Sequence, residues 1–122
     1  MKILIIEDEI LIQKSLTLML KKKGIEVDAT ASGKEAIKFI NNNNYDRIIC
    51  DLMLNDITGF DIIEESKKKF NADEIKNKYI IITAYSSEQT LEKASKYGCR
   101  VLSKPFKSMP EAIDVFIKGG LS

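Results

Sequence analysis

The hydrophobic residues of the chain fall into short unbroken runs, separated by longer stretches that mix polar and apolar positions. Four runs are fully apolar, and unbroken runs are typical of strands that are covered on both faces. A fifth run, at residues 25–27, contains a glutamate and is predicted to lie nearer an edge. The four stronger runs are residues 3–6, 48–50, 79–82 and 101–102.

The stretches between these runs carry helical spacing and helix end signals. Apolar residues at positions 12, 16, 19 and 20 fall on one helical face, and the three lysines before Gly24 suit the negative end of a helix. Capping-box spacing predicts three further helices that begin after Ser32, Thr58 and Ser108. The chain thus alternates strand and helix from its first residues onward.

One more helix is predicted over roughly residues 87–97. Its buried set contains only Leu91, Ala94 and Tyr97, so we expect it to be the least firmly anchored. Residues 41–44 and 71–78 are predicted to be polar loops. Five alternations of strand and helix predict βαβ units around a parallel sheet, an α/β doubly wound (βα)5 three-layer sandwich with strand order 2-1-3-4-5.

Composition narrows the chemistry further. At 122 residues the chain matches one compact domain, so we expect a single domain over residues 1–122. A formal net charge of +1 and the lack of a long apolar run favour neither a nucleic acid nor a membrane as the main partner.

Cys50 and Cys99 match no metal-ligand spacing and are interpreted as reduced, structural residues of a cytoplasmic protein. The chain has no histidine, which excludes Ser-His-Asp and Cys-His catalysis.

Polar residues that could carry chemistry stand where the apolar runs end. Glu7 and Asp8 follow the first strand, Asp51 closes the third, and the carboxyl ends of parallel strands share one sheet edge. Three carboxylates that converge there repel one another unless a cation neutralises them, and oxygen ligands suit Mg²⁺. We therefore predict a magnesium site at this edge, with Asp51 beside it.

The next two strands end in residues suited to an anion. Thr83 closes the fourth strand and Lys104 follows the fifth, so a phosphoryl group on Asp51 would meet a hydroxyl and an ammonium group. Ala84 is small enough to let a phosphoryl oxygen approach backbone N–H groups. Each residue alone is ordinary in a turn or a strand, but together they end four strands of one predicted sheet.

At this point the sequence resembles the receiver domain of two-component response regulators, of the single-receiver, chemotaxis-regulator type. The resemblance spans residues 2 to about 118 and implies a flavodoxin-like fold. It rests on an acidic pair after the first strand, an acceptor strand, the loop that follows it, a hydroxyl strand and a lysine turn: residues 4–8, 48–54, 56–59, 82–84 and 103–106.

The resemblance implies that Asp51 takes a phosphoryl group from a sensor histidine kinase or a phosphotransfer protein, in a phosphorelay that signals to a protein target or an output domain. It implies Mg²⁺, with Mn²⁺ as the alternative, bound directly by Asp8, through water by Glu7 and by the Met53 carbonyl. It also implies a cis bond before Pro105. The chain itself would then be no enzyme beyond promoting its own phosphorylation and dephosphorylation.

The sequence departs from the receiver pattern at Val101, where the family usually has an aromatic residue that turns inward. Valine cannot make that rotation, so our hypothesis is that output depends on repacking the helix predicted over residues 87–97. Met53 and Tyr85 stand two residues after Asp51 and Thr83, and both are bulky. We predict that they exclude hydrolytic water and prolong the life of the phosphoryl group; the alternative is that they only cover apolar surface.

Two other functions are compatible with these residues. One is a magnesium-dependent phosphohydrolase of similar fold, although Met53 stands where haloacid-dehalogenase phosphatases have a second aspartate. The other is a degenerate receiver that only binds proteins. Gly119 and Gly120 suit both a helix end and a linker, so a stand-alone regulator and a piece of a longer protein both fit. A phosphorylation-dependent homodimer, as formed by many relatives, is also open.

Overall fold

A parallel five-stranded sheet forms the centre of the computed structural model, which describes residues 1–84 and 87–119. The strand order β2-β1-β3-β4-β5 is the predicted one, and every pairing is parallel. Over these residues the elements are β1 (Lys2–Ile6), α1 (Ile10–Lys22), β2 (Glu26–Thr30), α2 (Gly33–Asn42), β3 (Arg47–Asp51), α3 (Gly59–Ser66), α4 (Ala72–Lys78), β4 (Tyr79–Thr83), α5 (Glu88–Tyr97), β5 (Arg100–Ser103) and α6 (Met109–Lys118).

Two hydrophobic layers cover the sheet, one on each face. In β1, Ile3 and Ile5 pack with α1 and α6, whereas Leu4 and Ile6 pack with the helices of the other face. Successive residues of a strand point to opposite faces, so an unbroken apolar run serves both layers at once. This arrangement confirms the predicted α/β three-layer class.

The predicted helix starts at Ser32, Thr58 and Ser108 are confirmed, because each side chain accepts a hydrogen bond from the backbone N–H three residues later. The pair Thr58 and Asp61 forms a complete, reciprocal capping box. Helix α1 ends, as predicted, in its lysines and at Gly24, whose φ of 81° lies in the left-handed region.

The prediction of a loop over residues 71–78 is wrong, because these residues form α4. Asn71 accepts a hydrogen bond from the Glu74 N–H at 2.9 Å, and Glu74 accepts one in return from the Asn71 N–H at 3.1 Å. Only Ile75 of this helix is buried. Seven residues with one buried apolar side chain show no hydrophobic periodicity, so the capping box formed by Asn71 and Glu74 was the available signal. The described ranges therefore contain six helices instead of the expected five.

Strand β5 departs from the prediction that its run is covered on both faces. Val101 and Leu102 are only partly buried, and Arg100 and Ser103 are exposed. The reason is position, since β5 pairs only with β4 and forms one edge of the sheet. The weaker run in β2 forms the other edge, as predicted.

Helix α5 has the sparse anchoring that the sequence predicts. Ala94 is its one fully buried residue and Tyr97 is partly buried, but the prediction that Leu91 is buried is wrong, because Leu91 is 43% exposed. Phe60 of α3 stacks on Tyr97 with ring centroids 5.9 Å apart, so a lateral aromatic contact supplements the thin core contact. Among the helices of the residues described, none has the length and apolarity needed to cross a bilayer.

Candidate functional site

The acidic residues predicted to gather at the carboxyl edge of the sheet do gather there. β1 and β3 are neighbours, which brings Glu7 and Asp8, at the end of β1, beside Asp51, the last residue of β3. One carboxylate oxygen from each lies within 4.8 Å of the others. Glu7 and Asp51 are buried, whereas Asp8 is partly exposed, so the cluster opens toward solvent on one side.

Lys104 enters this cluster from the turn after β5. Its Nζ donates hydrogen bonds to Glu7 Oε1 at 2.8 Å and to Asp51 Oδ2 at 2.9 Å. The side chain of Lys104 is only 5% exposed. The Lys104 backbone N–H donates to the Thr83 carbonyl at 2.8 Å, and the Lys104–Pro105 bond is cis, the geometry that the resemblance implies. The turn thus returns the ammonium group over the ends of β1 and β3.

Charge and burial compete within the cluster. Burial is the main cause that raises the pKa of Glu7 to about 7, and the neighbouring Asp51 carboxylate adds to it, whereas Lys104 opposes it. For Lys104, burial disfavours the charged form, but the carboxylates of Glu7, Asp51 and Glu9 outweigh it and raise the pKa above its usual range. One ammonium group therefore does not satisfy all the negative charge that meets here.

Asp51 is fixed by groups from its own loop as well as by Lys104. Its Oδ1 accepts a hydrogen bond from the Met53 N–H at 3.2 Å. The Gly59 N–H donates to the Leu52 carbonyl at 2.9 Å, and a Cβ at Gly59 would stand 2.7 Å from the Asp51 carbonyl oxygen. Glycine is therefore required for the start of α3 to approach the end of β3 so closely.

The other predicted site residues lie around this cluster. Thr83 is buried and closes β4, one residue beyond Ile82, the partner of Asp51 in the sheet register. Ala84 follows it and is exposed. Met53 is 55% exposed, and its backbone N–H donates to the Asp51 carboxylate. Tyr85, paired with Met53 in the prediction about water exclusion, lies outside the described residues.

Val101 lies in β5 opposite Ile81, on the face covered by α5, and packs against the buried core there. Its side chain is half-buried rather than turned into the acidic cluster. The position that holds an aromatic residue in the family pattern therefore holds an ordinary core residue here.

Sequence reasoning missed the contacts of two acidic residues, one beside the acidic cluster and one in the loop after β3. Glu9 follows the acidic pair directly and accepts a hydrogen bond from Lys104 Nζ at 3.0 Å. Asp56 lies in the loop after β3 and accepts hydrogen bonds from the Gly33 and Lys34 N–H groups, both at 3.0 Å. A run of three acids at residues 7–9 was the available signal for Glu9. Nothing in the local sequence links Asp56 to residues more than twenty positions earlier.

The fold and the site together define a class of protein. Its members have a parallel α/β sheet whose carboxyl edge holds a cluster of acidic residues that bind a lysine side chain. The sequence matches the family described as response regulator receiver domain over residues 3–114. Because this match spans most of the chain, the protein belongs to the response regulator receiver family and is a receiver domain of two-component signalling.

Similar proteins agree with this membership. The chain is 30% identical over 117 residues to a probable transcriptional regulator, ycf29, of Porphyra purpurea, which covers 95% of this chain and 54% of that protein. It is 28% identical over 107 residues to the cell cycle response regulator CtrA of Brucella ovis, which covers 87% of this chain and 44% of that protein. The chain thus spans about half the length of these curated relatives.

Solved structures resemble the fold closely. The receiver domain of the Francisella response regulator 1452 has a TM-score of 0.79 and 28% identity, with 96% of each chain covered. A CheY-like receiver domain protein from Methanospirillum hungatei JF-1 has a TM-score of 0.84, with 96% of this chain and 90% of that chain covered. At 23% identity, this second likeness supports the fold alone.

Proposed function

We propose that Asp51 accepts a phosphoryl group from a sensor histidine kinase or a phosphotransfer protein, and that the modified domain then signals onward. One observation carries the proposal: the Lys104 ammonium group lies 2.9 Å from Asp51 and 2.8 Å from Glu7, inside a cluster that Asp8 completes. Such an arrangement supplies an acceptor oxygen together with positive charge next to it. In this proposal the chain is a phosphoacceptor rather than an enzyme acting on an outside substrate.

The donor set fits Mg²⁺, with Mn²⁺ as the alternative. Glu7, Asp8 and Asp51 offer carboxylate oxygens within 4.8 Å of one another, and hard oxygen donors are the ligands that these ions prefer. Burial first, and the Asp51 carboxylate next, raise the pKa of Glu7, and a divalent cation would offset both effects by stabilising the charged carboxylate. We assign direct ligation to Asp8, Asp51 and the Met53 carbonyl, and contact through water to Glu7. The ion would supply positive charge that offsets the negative charge developing on the phosphoryl group.

In the transfer step, a carboxylate oxygen of Asp51 forms a bond to phosphorus while the bond from phosphorus to the donor atom breaks. The leaving group takes the electron pair of that bond, so no proton has to leave Asp51. Lys104 stabilises the charge spread over the phosphoryl oxygens, and the Thr83 hydroxyl donates a hydrogen bond to one of them. Ala84 leaves room for a phosphoryl oxygen to approach its backbone N–H.

For output, we propose that the signal passes through α5. This helix buries only Ala94 fully, and Val101 replaces the aromatic residue whose rotation the family pattern uses. An element with so few buried contacts needs little free energy to change its packing. The receiver of such a change would be a protein target or an output domain, as the relatives' names, a transcriptional regulator and a cell cycle response regulator, suggest.

Chemical-shift mapping with and without Mg²⁺ and beryllofluoride tests this output route. We expect the largest remote shifts over residues 88–97, beyond those at the acidic cluster. The C-terminal half of α1, where Leu16 and Leu20 are fully buried and which is remote in the chain from the acidic residues, is the internal control and should move little. An α5 that stays unperturbed while the site shifts would contradict the route.

The proposal also covers the lifetime of the phosphoryl group. Met53 is exposed, and its backbone N–H donates to the Asp51 carboxylate, so we expect its bulky side chain to hinder a water molecule that approaches phosphorus. Met53→Asn should therefore hasten the loss of the phosphoryl group, and Tyr85→Glu should act in the same direction. Unchanged decay rates in both variants would mean that these side chains only cover apolar surface.

We also propose the extent of the domain, its oligomeric state, its location and its class of partner. We take residues 1–122 as a single receiver domain, and its homodimerisation on phosphorylation as one form that output would take. We place it in the cytoplasm, where its two buried free thiols, Cys50 and Cys99, would remain reduced. Its interactions would be with proteins rather than with nucleic acid or a membrane.

Intact mass after incubation with acetyl phosphate and Mg²⁺ tests the phosphoacceptor function. The wild type should gain the mass of one phosphoryl group, whereas Asp51→Asn should gain none, because an amide cannot take its place as the nucleophile. Chelation of the metal should suppress the gain in the wild type. Turnover of a generic phosphomonoester would instead indicate a phosphohydrolase, and no labelling at all would indicate a receiver that only binds proteins.

A further inference from the structure

Glu9 has a contact that the proposed phosphoryl transfer does not use. Its Oε1 accepts a hydrogen bond from Lys104 Nζ at 3.0 Å, while its side chain remains 58% exposed. The Glu9 backbone N–H donates to Glu7 Oε2 at 3.2 Å. Glu9 therefore covers the ammonium group of Lys104 from the solvent side and is tied at its backbone to the acidic cluster.

The position of Glu9 in the chain makes this contact informative. Glu9 is the N-cap residue of α1, where Ser, Thr, Asp or Asn normally accepts a hydrogen bond from the first turn. Its side chain makes no cap hydrogen bond, and the first turn of α1 has no acidic residue to interact with the helix dipole. The Glu9 carboxylate thus binds Lys104 and does not cap the backbone N–H groups at the start of α1.

The ammonium group of Lys104 has three N–H donors, and three carboxylates take them: Glu7, Asp51 and Glu9. A phosphoryl oxygen on Asp51 would need one of these donors. Glu7 and Asp51 belong to the cluster of potential metal ligands, so a bound cation would weaken their hold on the lysine. Glu9 lies outside that cluster and would keep its hold.

We propose that Glu9 is a positioning residue that holds the Lys104 ammonium group in its unphosphorylated arrangement and competes with the phosphoryl group for it. The inference rests on the proposed phosphoacceptor function of Asp51 and adds a regulator of the same site. Glu9 thereby lowers the affinity of the site for a phosphoryl group, and the strength of its contact sets how readily the phosphorylated arrangement forms.

The test measures the half-saturating concentration of beryllofluoride, a phosphoryl mimic, at saturating Mg²⁺. Amide shifts of Thr83 and Ala84 report binding to the full chain. Glu9→Gln removes the charge and should lower the half-saturating concentration by roughly two- to fivefold, as expected for an ion pair with one solvent-exposed partner. The difference from the wild type should shrink at high salt, because salt screens the exposed Glu9 carboxylate.

Two further variants separate the contact from other effects. Glu26→Gln removes the same charge from an exposed glutamate paired with Lys2 at 3.3 Å, at the far edge of the sheet, and should leave binding unchanged. Glu9→Asp shortens the side chain by one methylene and provides a good N-cap for α1. It should tighten beryllofluoride binding in the same direction as Glu9→Gln, by a smaller factor, while α1 becomes more stable.

The outcomes are distinct. Unchanged or weaker beryllofluoride binding by Glu9→Gln, or weaker binding by Glu9→Asp, overturns the assignment of Glu9 and leaves the function of Asp51 intact. If Glu26→Gln tightens binding as much as Glu9→Gln, net charge rather than the Lys104 contact is responsible, and the assignment also fails. A wild type that neither binds beryllofluoride nor is labelled by acetyl phosphate contradicts the phosphoacceptor function itself.

Discussion

At the scale of single residues, Glu7 shows most directly how burial prepares this site for a cation. Its carboxyl group is fully buried and lies against Asp51, and among the described residues the ammonium group of Lys104 and the Glu9 backbone N–H compensate its charge. Burial first, and the Asp51 carboxylate next, raise its pKa to about 7. A proton then does part of the neutralising that a divalent ion would do.

This raised pKa predicts how stability depends on pH when no divalent metal is present. The folded protein holds the Glu7 proton more tightly than the unfolded chain, so the stabilisation is complete below the unfolded pKa of 4.5. It should be lost as pH rises toward about 7, the folded pKa. Urea unfolding of wild type and Glu7→Gln at several pH values measures it, and the difference between the two should change over this window.

Two results bear on the cause. Saturating Mg²⁺ should restore stability to the wild type above the window and do so less in Glu7→Gln. Parallel pH profiles of wild type and Glu7→Gln would show that Glu7 carries no stabilising proton.

The sequence predicts the principal site residues but not the contact that Glu9 makes with one of them, and the reason is physical. Asp51, Thr83 and Lys104 end apolar runs, and parallel topology brings such ends together whatever the details of packing. Glu9 is the N-cap residue of α1, and nothing in that position predicts a contact with Lys104. The contact forms because the turn after β5 folds back over the start of α1. That return depends on three-dimensional packing that no local pattern describes.

At the scale of elements, Asp56 joins the loop after β3 to the start of α2. Besides the Gly33 and Lys34 N–H groups, the Ser32 hydroxyl donates to it at 2.9 Å. The Lys34 backbone N–H is the largest cause that holds the pKa of Asp56 far below its usual range. A Cβ at Gly33 would lie 2.4 Å from Ile57, so the loop and the helix start are also in close van der Waals contact.

Asp56→Ala should therefore destabilise the protein. It removes an acceptor that serves the open N–H groups of a helix start, and losses of this kind cost about 1–2 kcal/mol. Thermal and urea unfolding at neutral pH measure the change, with Asp114→Ala, an exposed aspartate in α6, as the control that should change little. Because the pKa of Asp56 is lowered, the effect should fade as pH falls below about 4. Equal stability of the two variants at neutral pH would refute the link.

The elements themselves follow from the sequence where the burial pattern is strong. The apolar runs of β1, β3 and β4 contribute to both hydrophobic layers, so the sequence identifies them clearly as buried strands. Helix α4 was missed because it has one buried residue, Ile75. Its helical state depends on reciprocal caps and on packing against the layer that contains Ile75. The edge strand β5 was found, but its partial exposure follows from its place in the sheet rather than from its residues.

At the scale of the whole molecule, the two ends of the sheet have opposite polar chemistry. The carboxyl edge collects carboxylates around Lys104, whereas at the opposite edge cations satisfy backbone carbonyls. There the Arg47 guanidinium donates to the carbonyls of Phe116 at 3.0 Å, Ile117 at 3.2 Å and Asn77 at 2.7 Å. A single side chain thus closes the ends of α4 and α6 against β3.

Arg47→Met should keep the aliphatic stem and remove these bonds, which leaves the partly buried Phe116 and Ile117 carbonyls and the exposed Asn77 carbonyl without their charged donor. We expect the free energy of unfolding to fall by about 2–4 kcal/mol, since single hydrogen bonds to charged groups contribute about 1.5–3 kcal/mol. Arg100→Met, which changes an exposed arginine on the edge strand, is the matched control and should change it by less than about 0.5 kcal/mol. A fall in Arg47→Met no larger than in this control would show that α6 is held by its apolar face alone.

The central claim is that Asp51, among all the carboxylates of the chain, takes the phosphoryl group in a metal-dependent reaction. Borohydride reduction after acetyl phosphate treatment converts an aspartyl phosphate to homoserine, and tandem mass spectrometry of the peptides then locates that residue. We expect homoserine at position 51 and nowhere else, present with Mg²⁺ and missing after chelation. Homoserine at Asp8 or at another aspartate, or equal conversion without metal, would contradict it.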